Sequence, residues 1–202
     1  MKTVTVNIAD TSMLKTVSVS EESGSFSLTG ADVSADYILS LGKASADISG
    51  LSTTSVLSVS SSAGASMKIS DCRAKEFSLS GGGGNFSLSG ISADRADFSL
   101  KSGEIVGENV AFTELSSSSE SVSLDLRSLE VSKASVNSVS GQVALRLSSD
   151  LKDFAVELAA KNASVFLNDV HYSSSYSIPN ESAEKSITVN TDTASILLNA
   201  AK

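Results

Sequence analysis

One feature limits what this chain can fold into: an apolar, polar, apolar triplet that returns about every twenty residues along most of its length. It is plainest between Phe77 and Gly103, FSLSGGGGNFSLSGISADRADFSLKSG, where Phe-Ser-Leu recurs at Phe77, Phe86 and Phe98. Counting back from Phe77 and Leu79 by about twenty residues at a time meets Leu57 and Val59, Tyr37 and Leu39, then Val17 and Val19. The same step from Phe86 and Leu88 meets Met67 and Ile69, Ala46 and Ile48, Phe26 and Leu28, then Val6 and Ile8. A third column reads Ile91, Cys72, Leu51 and Ala31, with Ala93, Ala74, Thr53, Val33 and Met13 two positions further along.

Each triplet places two side chains on one face of an extended strand and one on the other. Ser, Thr and Val fill the gaps, and long runs of helix formers are absent, so the period marks strands and not helices. Short strands at a fixed lap bury their apolar faces only by coiling, each lap resting on the one before. The expected fold is all-β: a single-stranded parallel β-helix, or β-solenoid, with three-strand rungs of about 20 residues and irregular end caps. Residues one lap apart, such as Tyr37, Leu57, Phe77 and Phe98, should then touch inside a narrow shaft. Outward positions need only be small and soluble, which accounts for the abundance of serine and for a chain with no Trp. Gly30, Gly50, Gly81 and Gly90 follow strands, where a tight corner needs positive φ.

The 202 residues read as a single solenoid domain, 1–202. Residues 1–20 form an N-terminal turn and cap, and 21–167 form the regular rungs. Leu115 follows Phe98 by 17 positions, which suggests a compressed rung near 101–115. Beyond it, Leu115, Val136 and Val156 form one column, while Val122 and Leu124 match Val143 and Leu145 and then Val165 and Leu167. The run SSSSES at Ser116–Ser121 reads as a corner. Residues 168–202 hold an irregular excursion, with His171, Pro179 and two tyrosines, followed by the strands Ile187–Val189 and Ser195–Leu198 that close the last turn. Such an excursion suits either a functional loop or a cap.

A formal charge of −8 disfavours nucleic acid and anionic membrane as partners, since both select basic surfaces. Cys72 is the single cysteine, which excludes an internal disulfide framework, and its inward column makes it a small buried hydrophobe. No apolar run is long enough for a membrane-spanning helix. MKTVTVNIAD lacks the apolar core of a signal peptide and reads as a strand.

Corner residues Asp36, Glu76 and Asp97 could form a carboxylate ladder for a cation, but Ser55 interrupts it, and solvated corner acids are the simpler reading. His171 stands alone; only a cluster with Asp169, Asp150 and Asp153 would make it a catalytic centre. One His and one Cys are too few for zinc. Gly81–Gly84 lacks the Lys-Ser/Thr of a phosphate loop and reads as a corner. The five-residue beat of ADFSL is not sustained, and outward Ser and Thr rows are too ragged for an ice-binding face. The expectation is no catalytic, cofactor-binding or metal residue, no cofactor, and a binding surface that the residues do not reveal.

The phrases FSLTG, FSLSG and FSLSG and the closing SITVNTDTASILLN resemble the bacterial adhesin-like, toast-rack domain of unknown function, over most of residues 15–199. That resemblance implies a β-solenoid and a cell-surface or extracytoplasmic setting, and brings no catalytic residues. The reading favoured is a non-enzymatic cell-surface or envelope module that presents its long side or its irregular end to a protein or glycan partner. The alternatives are a carbohydrate-active β-helix enzyme and a structural spacer in a larger envelope protein.

Overall fold

The computed structural model describes residues 14–32, 34–62, 64–180 and 182–201. Val6, Ile8, Met13 and Val33 of the sequence columns lie outside those residues. The described chain begins with β1 (Thr16–Glu21), β2 (Ser25–Asp32), β3 (Asp36–Leu41), β4 (Ser45–Ser52), β5 (Val56–Ser61), β6 (Ala65–Ser70), β7 (Arg73–Gly81) and β8 (Gly84–Ser89). Two long elements that turn corners follow, β9 (Ser92–Glu108) and β10 (Ala111–Leu147), and then a single 3₁₀ turn, Leu151–Asp153. The remainder is β11 (Phe154–Ala160), β12 (Val165–Leu167), β13 (Val170–Tyr172), β14 (Ser175–Ile178), β15 (Lys185–Thr191) and β16 (Ser195–Asn199).

Parallel ladders stack these strands into a β-solenoid. On the first face β1 pairs with β3, β3 with β5, β5 with β7, β7 with β9 and β9 with β10, all parallel. On the second face β2 pairs with β4, β4 with β6, β6 with β8 and β8 with the end of β9. The third face is short, and its backbone groups bond from lap to lap: Thr53 N to Arg73 O, Ser92 N to Cys72 O and Ala111 N to Ile91 O at 2.8–3.0 Å. Because backbone groups are satisfied from lap to lap, the strands need no covering layer.

The inward columns are the core. Tyr37 faces Leu57 and Leu57 faces Phe77, while Phe26, Ala46, Met67 and Phe86 form the neighbouring column, all in register as the period implies. Most of these side chains are fully buried, each worth about 1.5–3 kcal/mol when removed from water.

Phe98 departs from its column by one pair. Ala96 lies opposite Phe77, and Phe98 lies opposite Leu79. The Phe77 and Phe98 rings still meet edge to face, with centroids 6.0 Å apart, and Phe98 meets Phe112 in the same way at 6.1 Å. A shift of two residues keeps a side chain on its face, so the Phe-Ser-Leu phrase conceals it. The same shift removes the compressed rung: Leu115 lies opposite Ala96 and Ser117 opposite Phe98. Ser117 is buried there as a small neighbour to the Phe98 ring.

The C-terminal columns are interleaved, which is a larger departure. Val136 does not sit beside Val156: β15 lies between them, with Val189 opposite both Val136 and Leu158, and Ile187 opposite both Ala134 and Val156. Likewise Ile196 and Leu198 of β16 separate Val143 and Leu145 from Val165 and Leu167. The closing strands therefore fill a slot one rung in from the end of the stack. The end itself is formed by β13 and β14, which run antiparallel against β12 and β11. Tyr172, Tyr176 and Ile178 occupy inward positions opposite Val165, Leu158 and Val156 and pack on the core. The first part of the excursion, Val170–Tyr172 and Ser175–Ile178, is thus a cap of antiparallel strands.

The outward rows are also more regular than they read. Ser20, Ser40, Ser60, Ser80, Ser99 and Ser118 stand in register along the first face. Hydroxyls bond along the axis in places, as Ser78 Oγ to Ser58 Oγ at 2.9 Å and Ser119 Oγ to Ser138 Oγ at 3.1 Å.

Candidate functional site

A groove forms where the third face meets the first, beside a break in strand alternation. Ala74, Ala93 and Phe112 are buried, the two residues after each are exposed, and Phe77, Ala96 and Leu115 are buried again. Two outward residues in succession turn the chain through a corner. Just before that corner, the buried Ala74, Ala93, Phe112 and Val131 stack on successive rungs between outward residues on either side, and together they form a continuous trough of about 540 Å³.

One wall carries Arg73, Ser92, Ala111, Glu130 and Ser149. The other carries Asp94, Thr113, Ser132 and, at the far end, Lys185. Arg73 lies opposite Ser92 and Ser92 opposite Ala111, so the trough runs along the stack and crosses the strands. Four steps of about 4.8 Å between Arg73 and Ser149 give it a length of about 19 Å.

Short side chains make the trough. Ser92 and Ala111 leave its middle open, while Arg73 and Glu130 stand higher on either side. Cations lie at its ends, Arg73 and Lys185, and carboxylates in between, Asp94 and Glu130. No ion pair within 4.0 Å joins these four among the described residues, so their hydrogen-bonding capacity faces solvent. Lys185 Nζ lies 5.3 Å from the centre of the Phe154 ring, which fixes it at the groove end. Phe112 is the only aromatic side chain in the lining, and it is 3% exposed. The site therefore offers hydroxyls, backbone and single charges, with no ring face for stacking.

The candidates from sequence lie elsewhere. Asp36, Glu76 and Asp97 do not stack: Glu76 lies opposite Arg95, and Asp97 lies opposite Ser78 and pairs with Arg95 at 2.9 Å. Asp36 accepts from the Ser55 hydroxyl and from Val56 N, so the residue that interrupts the column is itself a partner. Among the described residues no three His, Cys, Asp or Glu side chains come close enough to share a metal ion.

His171 is exposed, with Nε2 3.1 Å from Ser164 Oγ and its ring 5.1 Å from Phe166. Asp169 accepts from Asn199 Nδ2 at 3.2 Å, and Asp150 accepts from Lys152 N and pairs with its ammonium at 3.7 Å. Neither carboxylate is a partner of His171. Cys72 is buried and donates to Ser70 O at 3.2 Å, and burial pushes its thiol above the ordinary range. Gly81–Gly84 is a corner: a Cβ on Gly81 would lie 1.9 Å from Ser61 O.

Sequence reasoning did not find the groove. Its signal was a step of 19 positions linking Arg73, Ser92, Ala111, Glu130 and Ser149, one residue shorter than the lap being counted. No helix in the described residues is long and apolar enough to cross a membrane. No curated protein and no solved structure matches the chain. The family model Toastrack DUF4097, a domain of unknown function, matches residues 1–198, and the chain belongs to that family.

Proposed function

We propose that the chain is a non-enzymatic binding module of a bacterial cell surface or envelope, and that it holds an extended protein or glycan segment in the groove along its long side. The observation that carries this reading is the trough of about 540 Å³ with four charged side chains that have no ion-pair partner among the described residues. A length of about 19 Å suits roughly five or six residues of extended peptide at about 3.3 Å each, or a short run of sugars. A stiff stack that satisfies its own backbone groups presents such a trough without reorganising, which lowers the ordering cost of binding. His171 without a carboxylate partner supports a role in binding over one in hydrolysis.

The test is a screen of the purified chain against arrayed glycans and extended peptides, repeated with Ala111→Trp to fill the trough and with Asp94→Asn and Glu130→Gln to remove its central charge. The expected result is a ligand whose affinity falls at least about tenfold, about 1.4 kcal/mol, in the filled variant, and which is recovered unaltered. A ligand bound equally well by the filled variant, or one that is cleaved, would overturn the proposal.

A further inference from the structure

The closing rung differs from every other rung in how it is held. Each lap through β10 rests on the lap before it in sequence, whereas residues 185–199 lie between two laps that both precede them. No strand pairing joins β11 or β12 to β10; apart from the chain connection through residues 148–153, both are hydrogen-bonded into the stack through β15 and β16. Without residues 185–199 the molecule has a slot one rung wide, with a parallel strand edge on either side.

That slot is specific for its occupant. Its walls present Val136, Val143 and Leu145 on one side and Val156, Leu158 and Val165 on the other. The corner between β15 and β16 is held by its own hydrogen bond and by polar contacts to both walls. Buried Thr191 Oγ1 donates to Ala194 O at 2.6 Å, and Thr193 Oγ1 donates to Val139 O at 3.1 Å. Asp192 N donates to Ser138 O, and Asn162 N donates to Asp192 O from the opposite wall.

Residues 179–184 contain the single proline, and among the described ones the one side-chain hydrogen bond to the body is Asn180 Nδ2 to Lys152 O at 3.1 Å. Releasing this linker breaks little. We propose that the closing rung is exchangeable between two copies of the chain, so that residues 185–199 of each fill the slot of the other. An exchanged pair repeats every contact of the monomer, so linker geometry and concentration decide which form is present.

Linker length makes the proposal testable. From Ile178, opposite Val156, to Lys185, opposite Phe154, the chain crosses two strand spacings and about two residues along the strand, about 12 Å in all. Deleting residues 180–183 leaves a reach of only about 10–11 Å, too short for the rung to enter its own slot.

The experiment uses full-length chains carrying Ser135→Cys on the slot wall and Thr188→Cys on the closing rung, which are register neighbours. Two versions with tags of different size are unfolded, mixed, refolded together and then oxidised. Exchange gives a reducible covalent heterodimer whose fraction rises about tenfold for a tenfold rise in concentration while it remains the minor species. In the variant lacking 180–183 the dimer should become the main folded species by sedimentation. Disulfides confined to single chains at every concentration, with the intact linker, would overturn the proposal whatever the shortened variant does.

Discussion

At the scale of single residues, the corner between the second and third faces is governed by backbone conformation. Gly30, Gly50, Asp71, Gly90, Asn109 and Ser128 occupy it on successive rungs, all with φ between 49° and 64°. Glycine meets that demand without strain, and Asp and Asn tolerate it, but serine pays a steric cost of about 1–2 kcal/mol. Ser128→Gly is therefore expected to stabilise the fold by about 1 kcal/mol, seen as a higher urea midpoint with unchanged slope. Protonation is the second lever at this scale. Burial raises the Tyr37 phenol above its ordinary value, with the charge of Asp32 adding to it, and burial raises the Cys72 thiol as well. In the unfolded chain these groups ionise near about pH 10 and about pH 8.5, while in the fold they keep their protons. Stability is then fully present below about pH 8.5 and falls as pH rises. The Tyr37 hydroxyl is buried without a hydrogen-bond partner among the described residues, so Tyr37→Phe should cost nothing at neutral pH. Urea midpoints should show the part of the alkaline loss above about pH 10 missing from that variant; a fall as steep as in the parent chain would exclude Tyr37 as its source.

At the scale of elements, most of the stack was legible and its last rungs were not. Strand identity follows from alternation alone, and the columns from Val17 to Phe77 and from Phe26 to Phe86 pair as the period requires. From β6 onward the lap shortens to 19 positions, as from Met67 to Phe86 and from Ala74 to Ala93 and on to Phe112. Phe98 and Leu115 were matched by likeness of residue type while the true register slid by two positions, and a two-residue slide leaves alternation intact. The groove was hidden by the same short lap, and its concavity is a property of residues stacked on successive rungs that no single residue announces. The interleaved end could not be read at all. Val136, Val156 and Val189 look alike, and nothing in their spacing states that the last of them lies between the other two. Leu198 tests that placement. It is fully buried between Leu145 and Leu167, so Leu198→Ala should cost about 2–5 kcal/mol, as for an interior rung. Leu28 near the first described rung is only half-buried, and Leu28→Ala should cost clearly less. Equal, small effects in chemical denaturation would place β16 at an edge.

At the scale of the whole molecule, a stack held by nearest-neighbour ladders opens from its ends, because an end rung has a partner on one side only. In a solenoid that simply winds forward, the last strands in sequence are also last in space and exchange their amide hydrogens among the fastest. Here the two orders differ. The outermost ladder at one end is β13 and β14, each short and paired on one side, whereas β15 and β16 are hydrogen-bonded on both. Amides of Ile187–Thr191 and Ile196–Leu198 should therefore exchange more slowly than those of Val170–Tyr172 and Ser175–Ile178, although they come later in the chain. Their protection should approach that of Leu115–Leu126 in the middle of the stack, since release of the closing rung also detaches β11 and β12 from the rest. Hydrogen exchange read by mass spectrometry on short peptides resolves these segments. Protection that declined steadily from Leu126 to Leu198 would mean that the laps follow sequence order and that the closing rung is not lodged between its predecessors.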